Sequence, residues 1–373
     1  MKLLTSILTL CYTASVLAQD PSATCTSAKL LKGSDFQLLQ KPNNANVASL
    51  RSIFAAKNSI VTVADVFNDG NHKMVANSAG TSWRWESVDG FDDVNTQKWY
   101  PQGISSTADA LDVGTYQGKD GWVVSWHDAD DTSARLTFVD KNTLKYRHVL
   151  LVYPHAKDDF RAVPIHAGGI VWYGNTLWVV DTSNGIRVFD LDNIWKVDIG
   201  DAVGKSGSGY TAQGYRYVIP QVTWYQWTPS FNFRFSYISL DRTTSPDSIL
   251  VGEYQPDSSV NPTRHVRWDL DYTTRRLKTN ANSIASASWA YCVGIDRMQG
   301  AVSADGKIYI SRSNGASKNG DFFTWTPGGP ATITESVTAG PEDMTYDKRS
   351  KEVFTVTEHP GNRWIIGTKI SSL

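Results

Sequence analysis

Cysteine is scarce in this sequence of 373 residues, which contains only three. Cys11 lies in the apolar N-terminal stretch, so Cys25 and Cys292 remain as an even pair. In an exported protein such a pair predicts a disulfide, which here would tie the N-terminal arm to a distant part of the chain. The alternative is two separate thiols. A bridge would also exclude a thiol nucleophile.

An excess of one charge is also missing. The chain has 36 Lys and Arg against 37 Asp and Glu, a formal net charge of −1, and no run of basic residues. Nucleic acid is therefore not expected as a partner. No apolar run after residue 18 approaches the roughly 20 residues that cross a bilayer, so we expect no membrane span. We expect a monomer.

Several catalytic signatures are absent. The chain has no Gly-x-Ser-x-Gly elbow, no phosphate-binding loop and no dinucleotide fingerprint, so no nucleotide cofactor is expected. It also has no His-Glu-x-x-His metal motif and no acceptor site for N-glycosylation. Any catalytic site must therefore be assembled from residues that are scattered along the chain.

The N-terminus predicts export. Residues 1–18, MKLLTSILTLCYTASVLA, combine one Lys, an apolar run and the small residues Val16 and Ala18. This is the pattern of a signal peptide that is cleaved after Ala18. We therefore expect a secreted, extracellular protein that consists of residues 19–373.

Aromatic residues and repeated phrases are abundant instead. With 14 Trp and 16 Tyr and few helical patterns, the composition favours an all-β protein. The phrases YPQGISS, IHAGGIVW, IPQVTW, RMQGAVS and GPEDMTY are each expected to open a unit of short strands, and residues 101–153 read as four strands separated by turns. Such units predict a single β-propeller domain. We count six four-stranded blades, with five or seven as alternatives, one blade from residues 45–98, and pairing of N- and C-terminal strands to close the ring.

Two sets of polar residues are expected to meet on one face of this ring. The first strand of a propeller blade lines the axis, and the second runs back beside it, so strand-one starts and strand-two ends share a face. The blade starts carry Gln102, Gln221, Gln299 and Glu342, with His166 near Gly168 in the second unit. The second strands end at His127, Asp181, Arg312 and Glu358. The alternatives are amides that only fill the channel and polar residues that only cap turns.

A metal site at the axis is a further hypothesis. His166, Glu342 and amide oxygens could hold one divalent cation, Ca²⁺, Mg²⁺ or Mn²⁺. The acidic loop HDADD, residues 127–131, could also bind Ca²⁺, although such a run is more often a solvated turn.

The phrases WYPQGI, YRHVLLV, HAGGIVWYGNTLWVVDTSNGIRVFDL and GPEDMTY resemble those of a group of secreted fungal and actinobacterial β-propeller proteins. More distantly, the blade starts are similar to those of the gluconolactonase, paraoxonase and strictosidine-synthase superfamily and of virginiamycin B lyase. The resemblance implies metal or acid-base residues on the axis, at Glu342 and the Gln positions. Here Gln replaces most of the Asn and Asp ligands that are expected in lactonases.

Two classes of function follow. The first is a lyase or hydrolase that acts on an extracellular glycan or on a lactone or ester. In the lyase, His166 is the base, Arg297 or Arg312 neutralises a substrate carboxylate, and Glu342 is a ligand or acid. In the hydrolase, Glu342 pairs with Asp181 or Glu358. The second class is a non-catalytic glycan-binding propeller. The residues expected to contact a glycan or small-molecule substrate are Gln102, Gln221, Gln299, Tyr173 and Trp224.

Overall fold

The computed structural model describes Cys25, residues 29–261 and residues 263–373, and the expected signal peptide lies outside these residues. Most of the described chain is extended, as the aromatic and β-branched composition predicts. Its strands pair mostly antiparallel with their neighbours in sequence, and one parallel pairing joins Lys145–Ala156 to Tyr217–Trp227.

Five four-stranded sheets, called blades 1 to 5, account for the main strands. Blade 1 contains Trp99–Ser106, Gly121–Asp128, Ala134–Asp140 and Lys145–Ala156. Blade 2 contains Ile170–Tyr173, Thr176–Asp181, Gly185–Asp190 and Tyr217–Trp227. Blade 3 contains Tyr237–Asp241, Ser248–Gly252, Arg264–Asp271 and Trp289–Cys292. Blade 4 contains Met298–Ala304, Lys307–Arg312, Gly320–Trp325 and Ala331–Val337. Blade 5 contains Pro341–Asp347, Glu352–Thr357, Trp364–Lys369 and Ser82–Arg84.

These blades form a closed ring. The first strands of consecutive blades contact one another, and the first strand of blade 5 contacts that of blade 1. In blade 5 the fourth strand, Ser82–Arg84, comes from the N-terminal part of the chain and pairs with Trp364–Lys369 near the C-terminus. Radially arranged meanders of this kind define a β-propeller, so the predicted fold class is confirmed.

The preferred count of six blades was wrong, because the described residues form five. The segment 45–98, expected to be a blade, begins with the helices Ala45–Ala56 and Val63–Asn68. Thr62 caps the second helix: its hydroxyl accepts the N–H of Asp65, whose carboxylate accepts the N–H of Thr62. This capping box turns the apolar run VTVADVF into a helix rather than a strand.

The third unit was also placed wrongly. The phrase IPQVTW lies in Tyr217–Trp227, the fourth strand of blade 2, and the first strand of blade 3 is Tyr237–Asp241. A long insertion, residues 191–216, separates the third and fourth strands of blade 2 and carries the hairpin Val203–Ser206 with Gly209–Ala212. This insertion makes the fourth strand look like the start of a new unit.

The N-terminal arm is fastened to blades 2 and 3. Cys25 and Cys292 form a disulfide, as predicted, and Lys29–Leu31 pairs with Trp289–Cys292 at the edge of blade 3. Gln37–Gln40 pairs with the end of the fourth strand of blade 2. The arm therefore covers outer strand edges that would otherwise be open.

The remaining elements are short. The other strands are Ile60–Val61, His72–Lys73, Val75–Ala76, Ser87–Val88, Phe91–Asp92, Asp159–Ala162, Ile194–Lys196, Arg276–Leu277 and Ile284–Ser286. The third α-helix is Thr107–Ala110, and 3₁₀ turns lie at Gly33–Asp35, Leu191–Asn193 and Ile370–Ser372. None of the helices in the described residues has the length and apolarity that crossing a bilayer would take.

Candidate functional site

The start of the first strands forms one opening of the ring, which we call the axial mouth. It is lined by Gln102, Gln299 and Glu342 from first strands, and by His127 and Glu358 from the end of second strands or just after. Second strands run antiparallel to first strands, which brings these positions to one face. Five of the residues predicted from the two sets therefore lie on the same face of the molecule.

A pair of carboxyl groups lies at the centre of the mouth. Glu342 is buried, and its carboxyl group is hydrogen-bonded to that of Glu358. Burial, followed by the charge of Glu358, raises the pKa of Glu342 well above its ordinary value of 4.5. Two carboxylates in contact repel each other unless one carries a proton, so the contact favours the protonated form of Glu342.

Two glutamine side chains position the pair. Gln299 Nε2 donates to Glu342 Oε1 at 2.9 Å, and Gln102 Nε2 donates to Glu358 Oε2 at 2.9 Å. Glu342 and Glu358 both belong to blade 5, whereas Gln299 comes from blade 4 and Gln102 from blade 1. The orientation of both carboxyl groups therefore depends on the closed ring.

Asp343, which the sequence reasoning missed, closes the floor of the mouth. Its carboxylate accepts the N–H groups of Ile170 at 3.0 Å and Ile104 at 3.3 Å, and it is fully buried. Glycine stands at the aligned position in blades 1, 2 and 4, and a Cβ at Gly103 would lie 2.7 Å from the Ile170 nitrogen. The signal was present in the sequence, because the phrase GPEDMTY carries a charged residue at a position where three of the other four phrases have glycine and IPQVTW has Val222.

A second cluster lies beside the carboxyl pair. His127 and His166 face each other with ring centroids 4.0 Å apart. Asp131 Oδ1 lies 2.7 Å from His127 Nδ1 and 3.1 Å from His166 Nδ1. Burial, followed by the facing ring of His166, lowers the pKa of His127, although the charges of Asp131 and Glu358 act in the opposite direction. Asp131 belongs to the loop HDADD, so the acidic loop contributes to the site instead of being only a solvated turn.

This second cluster has the donors of a metal site. Among the described residues, His127, Asp131 and His166 can bring one ligand atom each within 4.8 Å of one another. Two imidazoles and a carboxylate suit Zn²⁺ or Mn²⁺ better than Ca²⁺ or Mg²⁺, which prefer oxygen. The donor set thus differs from the predicted pair of His166 and Glu342, because Glu342 bonds to Gln299 and Glu358 instead.

Asp181 lies apart from this centre. Its carboxylate forms a forked ion pair with Arg187 at 2.8 and 2.5 Å and accepts from Asn184 in the adjoining turn. It therefore acts as a turn and ion-pair residue of blade 2, and the carboxyl partner of Glu342 is Glu358.

Arg297 and Arg312 are likewise engaged elsewhere. Arg297 pairs with Asp296 at 2.9 Å, and Arg312 forks onto Asp321 at 2.9 and 2.5 Å. Among the described residues, no arginine lies within ion-pair distance of either carboxyl group of the mouth. Neither of the two arginines that a lyase was expected to use is therefore at the carboxyl pair, although the Arg363 Nε donates to the Glu358 backbone carbonyl at 2.7 Å.

The other predicted substrate contacts lie at two further places. Gln221 and Trp224 are on the outer strand of blade 2, because their phrase is a fourth strand and not a blade start. Tyr173 ends the first strand of blade 2, at the opposite end of the ring, where its hydroxyl donates to Asp247 at 3.0 Å. Gln221 was therefore wrongly expected at the mouth, and Tyr173 and Trp224, which were expected to contact substrate, do not line it.

The geometry limits the chemistry of the carboxyl pair. Glycosidases keep their two carboxyl groups about 5 to 5.5 Å apart, or about 6.5 to 9.5 Å apart, to make room for the sugar carbon or for a water. Carboxyl groups that share a hydrogen bond are closer than either spacing. The Glu342 and Glu358 pair is therefore suited to storing and transferring a proton rather than to attack on both sides of a glycosidic bond.

Comparisons with known proteins find distant likeness to solved structures. No family model and no curated protein matches the chain. Similar solved structures include a gluconolactonase from Xanthomonas campestris, at 9% identity and TM-score 0.36 over 80% of this chain and 95% of that one. A GH43_1 enzyme from Xanthomonas citri has 9% sequence identity and a TM-score of 0.39, over 73% of this chain and 88% of that one. The Cps50 (Swd1) β-propeller domain of Myceliophteria thermophila has 7% sequence identity and a TM-score of 0.36, over 72% of this chain and 95% of that one. Likeness at this level carries no information about the chemistry of this chain.

Proposed function

We propose that the protein is a secreted hydrolase that cleaves a lactone or ester at the axial mouth. The observation that carries the proposal is the hydrogen-bonded carboxyl pair of Glu342 and Glu358 beside the cluster of His127, Asp131 and His166. Ionisable groups that converge in this way, with opposed shifts of pKa, are typical of acid-base sites.

The carboxyl pair supplies the proton transfers. Burial and the neighbouring Glu358 raise the pKa of Glu342 and so favour its protonated form. Glu342 can therefore donate to the departing alcohol oxygen, while the partly exposed carboxylate of Glu358 takes a proton from the attacking water. Gln102 and Gln299 hold the two carboxyl groups in place throughout. General acid-base assistance of this kind contributes about 10²- to 10⁴-fold in rate.

The histidine cluster is proposed to hold one divalent metal ion, with Zn²⁺ or Mn²⁺ favoured. Such an ion, when bound, polarises a carbonyl oxygen and lowers the pKa of a bound water. The lowered pKa of His127 keeps its ring neutral, which is the state that a metal ligand needs. Asp131 fixes the orientation of both rings.

Ester or lactone hydrolysis is favoured over β-elimination from a uronate. The mouth presents three acidic side chains, and Arg297 and Arg312 are occupied by Asp296 and Asp321. A substrate carboxylate at the reacting carbon would therefore meet repulsion there rather than a neutralising cation.

The test compares two variants with two matched controls. Glu342→Gln and His166→Ala remove the proposed acid and one ligand, whereas Glu335→Gln and His155→Ala make the same changes outside the mouth. Each protein is assayed with an aryl ester, a sugar lactone and a uronate-containing glycan, with and without a chelator. Glu342→Gln should lower kcat by about 10²- to 10⁴-fold, and His166→Ala should abolish the sensitivity to chelator. Full activity of both mouth variants on every substrate that the wild type cleaves would refute the proposal.

A further inference from the structure

A second cleft opens on the same face of the ring, between blades 1 and 2. It has a volume of about 540 Å³, within the usual range for small-molecule sites. We call it the blade 1–2 cleft and define it by Lys41, Tyr153, Arg161, Arg187, Gln221 and Trp224. Fourth strands run in the same direction as second strands, so the later residues of each fourth strand lie toward the axial mouth.

The cleft results from an unusual junction of two blades. The fourth strands of blades 1 and 2 pair in parallel from Leu150 with Val218 to Val152 with Pro220. Pro220 has no N–H to continue the ladder, and beyond it the two strands separate. The N-terminal arm bridges the gap, because the Asn44 side chain donates to the Pro154 carbonyl at 2.8 Å and the Asn44 N–H to the Val222 carbonyl at 2.7 Å.

One buried polar group in this cleft lacks a partner. Gln221 is only 3% exposed, and its Oε1 has no hydrogen-bond partner among the described residues. Leaving a buried amide oxygen unpaired is unfavourable, so a donor is expected to reach it. Since Gln221 lines the cleft, a hydroxyl group of a ligand could provide that donor.

The rest of the lining combines cations with aromatic rings. Lys41 and Arg161 have no carboxylate within ion-pair distance among the described residues, and no acidic side chain lines the cleft there. The Arg187 guanidinium lies 4.3 Å from the ring centroid of half-buried Trp224, held there by Asp181. Arg161 lies over the ring of Tyr153 at 5.6 Å. This lining matches a sugar that bears a carboxylate. The aromatic rings can stack on the sugar ring, the amide oxygen of Gln221 can accept from a hydroxyl group, and the two unpaired cations can bind the carboxylate.

From these observations we infer that the blade 1–2 cleft binds an acidic sugar residue, a uronate within an oligosaccharide. Lys41 and Arg161 would contact its carboxylate, Trp224 or Tyr153 its ring, and Gln221 Oε1 one of its hydroxyl groups. This inference goes beyond the proposed hydrolase, because binding in the cleft does not require catalysis at the mouth. The two sites are neighbours, since Pro164 lines the cleft and His166, two residues later, belongs to the histidine cluster.

The test is titration calorimetry of the full-length mature protein with trigalacturonate and with its methyl ester, which keeps the sugar and removes the charge. Arg161→Glu and Lys41→Glu should each weaken trigalacturonate binding about tenfold or more at low salt, a loss that corresponds to about 1.4 kcal/mol. Lys318→Glu, an exposed lysine of blade 4, is the matched control and should bind like the wild type. Added salt should weaken the wild-type interaction, because it screens the cations.

Several outcomes would overturn the inference. One is the absence of any trigalacturonate binding at millimolar concentration, and another is equal affinity for the acid and its methyl ester. Unchanged binding by both charge-reversal variants would also refute it. Glu342→Gln tests which of the two sites binds the ligand. This variant should bind trigalacturonate with unchanged affinity. A loss of affinity would show that the ligand binds at the mouth, and it would refute binding in the cleft. Failure of the cleft in these assays leaves the esterase assays of the mouth unaffected.

Discussion

Replacing Asp343 by Ala should destabilise the protein strongly, because this carboxyl group is fully buried and accepts backbone N–H groups. The substitution leaves the buried N–H groups of Ile104 and Ile170 without an acceptor. At about 1 to 3 kcal/mol for each unpaired group, the expected loss in the free energy of unfolding is about 2 to 6 kcal/mol. This is a large part of the roughly 5 to 15 kcal/mol of a typical domain.

Asp343→Asn gives the informative comparison. The amide oxygen can accept the same N–H groups, and a neutral side chain avoids the cost of burial that raises the pKa of Asp343. We expect its free energy of unfolding to lie within about 1 kcal/mol of the wild type. Urea unfolding followed by tryptophan fluorescence measures both variants, with Asp130→Ala, at an exposed turn, as the control for loss of a carboxylate. If the free energy of unfolding of Asp343→Ala lay within about 0.5 kcal/mol of the wild type, the bonds from Asp343 to the first strands of blades 1 and 2 would not stabilise the fold as argued.

Three further predictions concern the mouth and the N-terminal arm. The pKa of Glu342 is higher in the folded protein than its ordinary value of 4.5, so the free energy of unfolding of the wild type should fall as the pH rises above 4.5 toward the folded pKa. Urea unfolding across that range should show no such fall for Glu342→Gln. Parallel pH profiles for the two proteins would contradict this prediction. Adding Zn²⁺ at about 100 times its Kd should stabilise the wild type by about 2.7 kcal/mol in thermal unfolding, but not His127→Ala or His166→Ala. Replacing Cys25 and Cys292 by Ser opens a loop with a sequence separation of 267 residues and should cost up to about 5 kcal/mol in calorimetry; an unchanged Tm would show that the paired arm alone suffices.

The repeated phrases predicted part of the site because three of them do open first strands. In blades 1, 4 and 5 the phrase starts a first strand, and Gln102, Gln299 and Glu342 come to one opening. The phrase IPQVTW has the same letters but belongs to a fourth strand, so Gln221 lies in the cleft instead. Local pattern indicates that a segment is a strand. Whether it is the first or the fourth strand of a blade depends on the insertion that precedes it, here residues 191–216.

Contacts between blades were beyond the reach of the sequence. His127 and His166 stand 39 positions apart in number, and Asp131 joins them only because a loop of blade 1 faces the entry to blade 2. Likewise, the sequence left Asp181 and Glu358 as alternative partners of Glu342, and it did not show that Asp181 and Arg312 are neutralised by their own neighbours.

Composition and short-range pattern thus determined that this chain is a β-propeller with a disulfide between Cys25 and Cys292, because strand propensity, turn residues and an even pair of cysteines after residue 18 are local or countable properties. The number of blades, the hydrogen-bonded carboxyl pair, the axial Asp343 and the cleft between blades 1 and 2 were decided by the tertiary structure. Each of these depends on how a closed ring places side chains from different blades within a few ångströms, and distance across the ring is not encoded in the spacing of residues along the chain.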